Sequence, residues 1–187
     1  LAGHSTIAAT AMQMCEDRGD CFAIIDPVGF GSTISDATSE AENRDTNYAA
    51  VYWPWIQISD NYSSKNVWVP ASVAMGGVYA FNDKVSAEWF APAGLNRGGI
   101  DRAIQPERKL THGNRDNVRR LLIAAKKFIA SATRYLVFEQ NTSETRNRFL
   151  SIVNPYLESV QQRQGLYAFK VVMDDSNNTP ETIDRNM

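Results

Sequence analysis

A short apolar run between two helical segments constrains the fold of this chain most. Cys21–Asp26 reads CFAIID, and its first five residues are all apolar. Such a run is typical of a β-strand that is buried on both faces. Residues 5–18 before it follow helical spacing and end at Gly19, and residues 34–44 after it also read as a helix. Helix, strand and helix in this order predict an α/β fold, a layered domain with a mixed β-sheet flanked by helices.

The middle of the chain adds strands and one more helix. Tyr48–Ile58 is rich in aromatic and β-branched residues but contains Pro54, which favours an edge or bent strand. Val67–Val69 reads as a short returning strand. Pro70 suits the first turn of a helix over residues 71–82.

The second half is predicted to be mainly helical. Asn117–Phe138 carries the strongest helical pattern of the chain. A further helix is expected from Asn141 to Gln164, with Asn141 and Glu144 as its capping box and a bend near Pro155. Tyr167–Met173 alternates in polarity and predicts a half-buried strand, and Thr179–Glu181 predicts a last turn of helix.

Composition excludes several classes of function. The chain has 187 residues, with 19 Lys and Arg against 21 Asp and Glu and a net charge of −2. A general nucleic-acid binder needs a clear excess of basic residues, so no nucleic-acid partner is expected. No apolar run is long enough to span a membrane, so no membrane insertion is expected. Two cysteines, Cys15 and Cys21, and two histidines, His4 and His112, match no metal-ligand spacing, and neither a metal nor another cofactor is predicted.

Candidate catalytic residues are isolated from one another in the sequence. Gly29-Phe30-Gly31 follows a strand but lacks the third glycine and the Lys-Ser/Thr of a phosphate-binding loop. Asp174-Asp175 is not followed by carboxylates at calcium-loop spacing. An α/β enzyme or a small-ligand binding domain stays open as the alternative function, with Asp26 delivered to a cleft at the end of its strand.

An aromatic-rich segment admits two interpretations, internal packing or a subunit interface. Alternate residues of a strand cannot all face one core, and aromatic residues are common at interfaces. The residues concerned are Tyr52, Trp53, Trp55, Trp68, Trp89 and Phe90.

A stripe of basic residues on the long predicted helix is the candidate protein-interaction site. Its cations fall within about 120° of arc opposite the apolar face, and Ile123 lies among them. Such a stripe is either a solvated helix face or a docking surface for an acidic partner. The candidate interface residues are Arg119, Arg120, Ile123, Lys126, Lys127 and Arg134, together with Lys170 on the predicted strand.

Six segments resemble one known family, the contractile tail sheath proteins of bacteriophages and related contractile injection systems. APAGLNRGG and NNTPETID are the most distinctive of these stretches. The segments are Asn47–Trp55 (NYAAVYWPW), Val67–Val78 (VWVPASVAMGGV), Trp89–Gly99 (WFAPAGLNRGG), Asn117–Leu122 (NVRRLL), Tyr135–Gln140 (YLVFEQ) and Phe169–Asp184 (FKVVMDDSNNTPETID).

The resemblance implies a structural virion protein rather than an enzyme. Family members form hexameric rings of sheath subunits, stacked helically around an inner tail tube, and their contraction drives the tube through the host envelope. The implied partners are other sheath subunits, the inner tail tube protein, and the baseplate and tail terminator proteins. The implied location is the virion tail, after assembly in the host cytoplasm.

The resemblance also implies that residues 1–187 are a single α/β domain equivalent to the C-terminal inner sheath domain of a longer chain. Family members continue beyond the ETID segment with strands that pair with neighbouring subunits. They also carry a further segment between the positions of Asp116 and Asn117, so a gap in the chain is expected at that junction.

Overall fold

The computed structural model describes residues 4–93, Asn96 and residues 116–184. The chain divides into two compact units, Leu1–Ala124 and Ala125–Met187. The boundary falls inside one continuous helix, so the expectation of a single domain stays a prediction. Residues 94–95 and 97–99 of the APAGLNRGG stretch, His112 and the chain directly before Asp116 lie outside the described residues.

The first unit is built around a parallel pair of strands. Helix α1 (Ser5–Arg18) leads into strand β1 (Ala23–Ile25), helix α2 (Ile34–Glu42) and strand β2 (Ala49–Val51). Strands β1 and β2 pair in parallel, with Ala23 opposite Ala49 and Ile25 opposite Val51. A parallel pair needs a crossover connection, which α2 supplies.

Helices cover both faces of this pair, as the continuous apolar sequence of β1 predicts. One face carries Ile25 and Val51, which pack in one cluster with Cys15 of α1 and Ala41 of α2. The other face carries Ala50 and Tyr52, which pack with Met75 and Tyr79. These two residues belong to helix α3 (Ala71–Val85). The predicted α/β class and its layering are therefore confirmed.

The next two strands form a separate antiparallel hairpin. Strand β3 (Ile56–Asp60) pairs with strand β4 (Lys65–Val69), with Ile56 opposite Val69 and Asp60 opposite Lys65. Pro54 follows β2, and proline has no N–H to continue a strand ladder. The parallel and antiparallel pairings consequently occur in two two-stranded sheets within the described chain.

The second unit is helical where it is described. Helix α4 (Asp116–Ala132) enters it and is followed by a 3-10 turn, Arg134–Leu136. Helix α5 (Ser143–Gln162) contains Pro155, and the short helix α6 (Pro180–Asp184) follows. The rings of Phe128 and Tyr156 stack with centroids 4.0 Å apart and fasten α4 to α5.

Three predictions in this unit are wrong. The long helix ends at Ala132 rather than Phe138, because Thr133 and the 3-10 turn tighten its last turn. Helix α5 is capped by the Thr142 hydroxyl, which accepts a hydrogen bond from the Thr145 amide at 3.3 Å, and not by Asn141. Residues 167–173 form no strand, because a strand needs a backbone partner and none is paired with them in the described chain.

Candidate interaction surfaces

Asp26, around which an enzyme site would have to be built, contacts the start of α3. Its carboxylate accepts hydrogen bonds from the Ser72 amide at 3.0 Å and from the Ser72 hydroxyl at 2.5 Å. A carboxylate there satisfies an amide that a helix N-terminus leaves without an internal partner. Asp26 therefore joins the end of β1 to α3. No group of three or more metal-ligating side chains occurs among the described residues.

A buried polar cluster within the first unit joins the start of α4 to Tyr52 and to α3. The hydroxyls of Tyr52 and Tyr79 lie 2.5 Å apart, and Tyr52 donates to the Asp116 carboxylate at 3.0 Å. Burial is the largest cause that raises the pKa of both phenols, and the charge of Asp116 raises both further. Both tyrosines consequently stay protonated as donors throughout the ordinary pH range.

The two arginines of the basic stripe that lie nearest this cluster are engaged within the chain. Arg119 donates from Nε to the Asn47 carbonyl at 3.1 Å, and its guanidinium lies 4.4 Å from the centroid of the Tyr48 ring. Arg120 pairs with the Asp83 carboxylate at 2.6 Å and lies over the ring of Tyr79. Both side chains therefore hold α4 in place, and neither is a freely exposed cation.

Ile123, which the sequence places among the cations of this stripe, is buried in the structure. Only 8% of Ile123 is exposed, whereas Leu122 beside it is 39% exposed. Residues 116–121 are all buried or half-buried, so this part of α4 is covered on more than one side. The helical-wheel argument assumes a helix with one buried face and fails for such a segment.

The remaining cations of the stripe are exposed. The side chains of Lys126, Lys127 and Arg134 form no ion pair with any residue that the structure describes. Lys170 is also exposed. Hydrogen bonds from Ser176 are the main cause that lowers the pKa of Asp174, and the charge of Lys170 lowers it further. The predicted stripe therefore divides into an anchored half, Arg119 to Ile123, and an exposed half, Lys126 to Arg134.

The aromatic segment also divides into buried and exposed members. Tyr52 and Trp89 are buried, as the packing interpretation requires. Trp68 is 51% exposed and lies against Phe30, with ring centroids 5.4 Å apart. Phe30 also makes an edge contact with Trp55, whose indole donates to the Val28 carbonyl at 3.2 Å. These three rings form an aromatic surface beside the β3–β4 hairpin.

A groove in the second unit was not found from the sequence. It has a volume of about 510 Å³, and Phe138 at its rim is 99% exposed. Arg146 lines it. Its Nη1 is buried and has no hydrogen-bond partner among the described residues, and its Nη2 lies 4.0 Å from Asp175. The groove thus offers apolar contacts beside a guanidinium. The sequence did not predict this groove because the long helix was expected to continue to Phe138. A regular helix would not bring residues 136–138 into the lining of a groove.

Comparison with known proteins decides which family carries these surfaces. Residues 2–143 match the family described as "Phage tail sheath protein central domain", which is well over half of the chain. The chain belongs to the phage tail sheath protein family. The predicted resemblance to this family is thereby confirmed, and five of its six segments lie within the matched residues.

Curated tail sheath proteins are similar to this sheath chain over most of its length. The tail sheath protein of Vibrio phage KVP40 is 31% identical over 194 residues, which cover 84% of this chain and 29% of that protein. The tail sheath protein of Enterobacteria phage T4 is 27% identical over 239 residues, which cover 100% of this chain and 36% of that protein. The chain thus spans about a third of the length of these relatives.

Solved structures show the same fold in contractile machines. The sheath complex of an extracellular contractile injection system, PVC, in the contracted state superposes with a TM-score of 0.77 at 26% identity. That match covers all of this sheath chain and 63% of the other. The helical sheath of the anti-feeding prophage in the contracted state matches with a TM-score of 0.61 at 22% identity, over 86% of this chain and 52% of the other. This second similarity concerns the fold alone.

Proposed function

We propose that this chain is part of a subunit that polymerises into a contractile tail sheath around an inner tail tube and shortens to drive the tube through the host envelope. The observation that carries the proposal is the similarity along the whole chain to a sheath solved in the contracted state. The first unit is consistent with a structural role, because Asp26 and the buried tyrosines make contacts within the chain.

The proposed partners follow from the family. Copies of the subunit form hexameric rings that stack helically, and the polymer contacts the inner tail tube protein, the baseplate and the tail terminator. The protein is assembled in the host cytoplasm and resides in the virion tail. A segment missing between Asp116 and Asn117 is part of the same proposal. The 239-residue span of the match to the T4 protein, against 187 residues here, supports additional residues in that relative.

Electron microscopy of the complete protein tests this function. The protein is expressed with and without the inner tube protein of the same tail and imaged in negative stain. The proposal expects tubular polymers with a helical surface lattice, and tube-filled particles when the tube protein is present. Monodisperse particles under both conditions would contradict it.

The exposed half of the basic stripe is proposed to meet an acidic surface of the tube or of an adjacent subunit. Exposed ion pairs contribute only about 0–1 kcal/mol each and are screened by salt. Repetition over many subunits makes the sum large, yet a concerted movement can break the pairs ring by ring. Lys126 and Lys127 carry this proposal because both are exposed and unpaired within the described chain.

Charge reversal tests the basic surface. The double variant Lys126→Glu and Lys127→Glu is expected to fold normally but to assemble poorly around the tube. The matched control is Lys65→Glu with Lys84→Glu, which makes the same change of charge at exposed positions elsewhere. Normal yields of tube-filled sheaths from the Lys126/Lys127 variant would contradict a role of this surface in assembly. An equal loss in the control variant would show that only the net charge matters.

A further inference from the structure

The two cysteines lie on either side of the turn that ends α1. Gly19, in the left-handed conformation with φ 66°, donates its amide to the Cys15 carbonyl at 2.9 Å and reverses the chain. Only glycine adopts this conformation without steric cost. The reversal returns Cys21 to the core cluster that contains Cys15. The tertiary fold thus brings together two residues that the helix alone would keep on separate parts of the chain.

The environment of this pair is asymmetric. Cys15 is only 4% exposed, whereas Cys21 is half-buried, and both are free thiols. Cys21 packs against the cluster to which Cys15 belongs, so the two side chains share one apolar environment. Burial, followed by the contact with Cys21, raises the pKa of Cys15 to about 11. Of the neighbouring charges, Arg18 lowers this pKa and Asp20 raises it, and these two are themselves paired at 2.8 Å.

We propose that Cys15 and Cys21 are a redox-responsive pair that closes to an intramolecular disulfide when an oxidised small-molecule disulfide is present. The bond would fasten the last turn of α1 to the segment that enters β1. The two cysteines pack into one cluster across a single turn, an arrangement that favours closure of a disulfide with little backbone movement. A protein made in a reducing cytoplasm and released into an oxidising medium would carry the thiols first and the disulfide later, a consequence that rests on the proposed function.

The chemistry is a two-step exchange that balances with glutathione disulfide as the oxidant. The Cys21 thiolate attacks one sulfur of glutathione disulfide, the glutathione S–S bond breaks, and one glutathione thiolate leaves. The Cys15 thiolate then attacks the Cys21 sulfur of the mixed disulfide and displaces the second glutathione. The two protons of the cysteine thiols end on the two glutathione molecules, so the pair is oxidised by two electrons and the oxidant is reduced by two.

The position of Arg18 makes the product easy to detect. Trypsin cleaves after Arg18 and next after Arg44, so Cys15 and Cys21 fall on different tryptic peptides. The native, soluble protein is incubated with glutathione disulfide, alkylated to block free thiols, denatured, digested and mapped by mass spectrometry. We expect peptide 19–44 to appear linked to the peptide that contains Cys15, at the summed mass less two hydrogens, and to be released by dithiothreitol.

The pH dependence and two variants identify the steps. Below the pKa of Cys15 the thiolate fraction rises about tenfold per pH unit, so the closing step is expected to accelerate about tenfold between pH 7 and 8. Cys15→Ser should accumulate the glutathione adduct on Cys21, because no second thiol resolves it. Cys21→Ser should give no linked peptide, and its thermal midpoint should not respond to oxidation, whereas that of the unchanged protein should rise.

Two outcomes would overturn the proposal. One is a persistent glutathione adduct on Cys21 without linked peptide in the unchanged protein. The other is linked peptide that forms only when denaturant is present during oxidation. The mapping uses soluble protein and needs no assembled tail, so its result is independent of whether the protein forms a sheath.

Discussion

The two small sheets of this chain have the same number of strands but opposite environments. In the β1–β2 pair, Ala50 and Val51 are 0% exposed and helices cover both faces. In the β3–β4 hairpin, Val67 is 36% exposed, and four of the five residues of β4 are exposed. The first sheet is therefore stabilised by burial of apolar area, and the second by its own ladder, its turn and a few aromatic contacts. We infer that the first sheet holds the fold together and that the second presents residues at the surface.

Matched valine truncations give the largest expected contrast between the sheets. Val51→Ala should lower the free energy of unfolding by about 2 kcal/mol, because it removes buried methyl groups from a covered strand. Val67→Ala should change it by less than about 0.5 kcal/mol, since its side chain is partly in water already. Urea denaturation of both variants measures the difference. Equal losses would show that the hairpin is as deeply integrated as the parallel pair.

Removing a tyrosine hydroxyl from each region should give a smaller difference in stability of the same sign. Tyr52→Phe removes a donor to Asp116 and the contact with the Tyr79 hydroxyl, and it should cost about 1–2 kcal/mol of stability. Tyr62→Phe, in the fully exposed hairpin turn, is the matched control and should be neutral. Thermal unfolding of the two variants checks this. If Tyr52→Phe leaves the thermal stability unchanged, the polar cluster does not stabilise the start of α4.

Acidification should destabilise the hairpin turn, and we expect this effect to be smaller than those of the valine and tyrosine substitutions. The Asp60 carboxylate accepts hydrogen bonds from the Ser63 hydroxyl at 2.6 Å and from the Tyr62 amide at 3.0 Å, which lower its pKa from the ordinary 3.8. A lowered folded-state pKa means that this stabilisation is present above pH 3.8 and is lost as the pH falls through the lower, folded value.

Amide chemical shifts of residues 61–64, followed from pH 6 to pH 2, measure the loss. Asp60→Asn should flatten that titration, while shifts of β1 and β2 should not follow it. If the turn and the parallel pair change together at one pH, the two sheets are a single cooperative element and the comparison fails.

The same contrast explains which elements the sequence could predict. The continuous apolar sequence of β1 predicted a strand covered on both faces, because such a run is stable only when helices bury it. The Gly19 stop of α1 was predicted correctly because left-handed backbone favours glycine. Tyr167–Met173 failed because alternation of polarity describes a strand but does not supply its partner. Whether a partner is present depends on chain far away in sequence or on another molecule.

The candidate site was predictable in composition but not in arrangement. Arg119 and Lys126 look alike on a helical wheel, yet one contacts Tyr48 and the other is exposed. Arg119 is engaged because the loop before β2 supplies the Asn47 carbonyl, just as α3 supplies Asp83 to Arg120. Ile123 is buried although it lies among the cations of the same stripe. Local spacing specifies a face, and only tertiary packing decides whether that face is covered.

Hydrogen exchange of the purified subunit, resolved by residue, tests the contrast between the two sheets most directly. The account predicts that amides in the β1–β2 pair, including that of Tyr52, which donates to the Ile25 carbonyl at 3.2 Å, exchange only through global unfolding. It predicts that amides of the β3–β4 ladder exchange faster, through local opening that leaves the first sheet protected. Equal protection of both sheets, with the same dependence on denaturant, would contradict the separation into a scaffold sheet and a surface sheet.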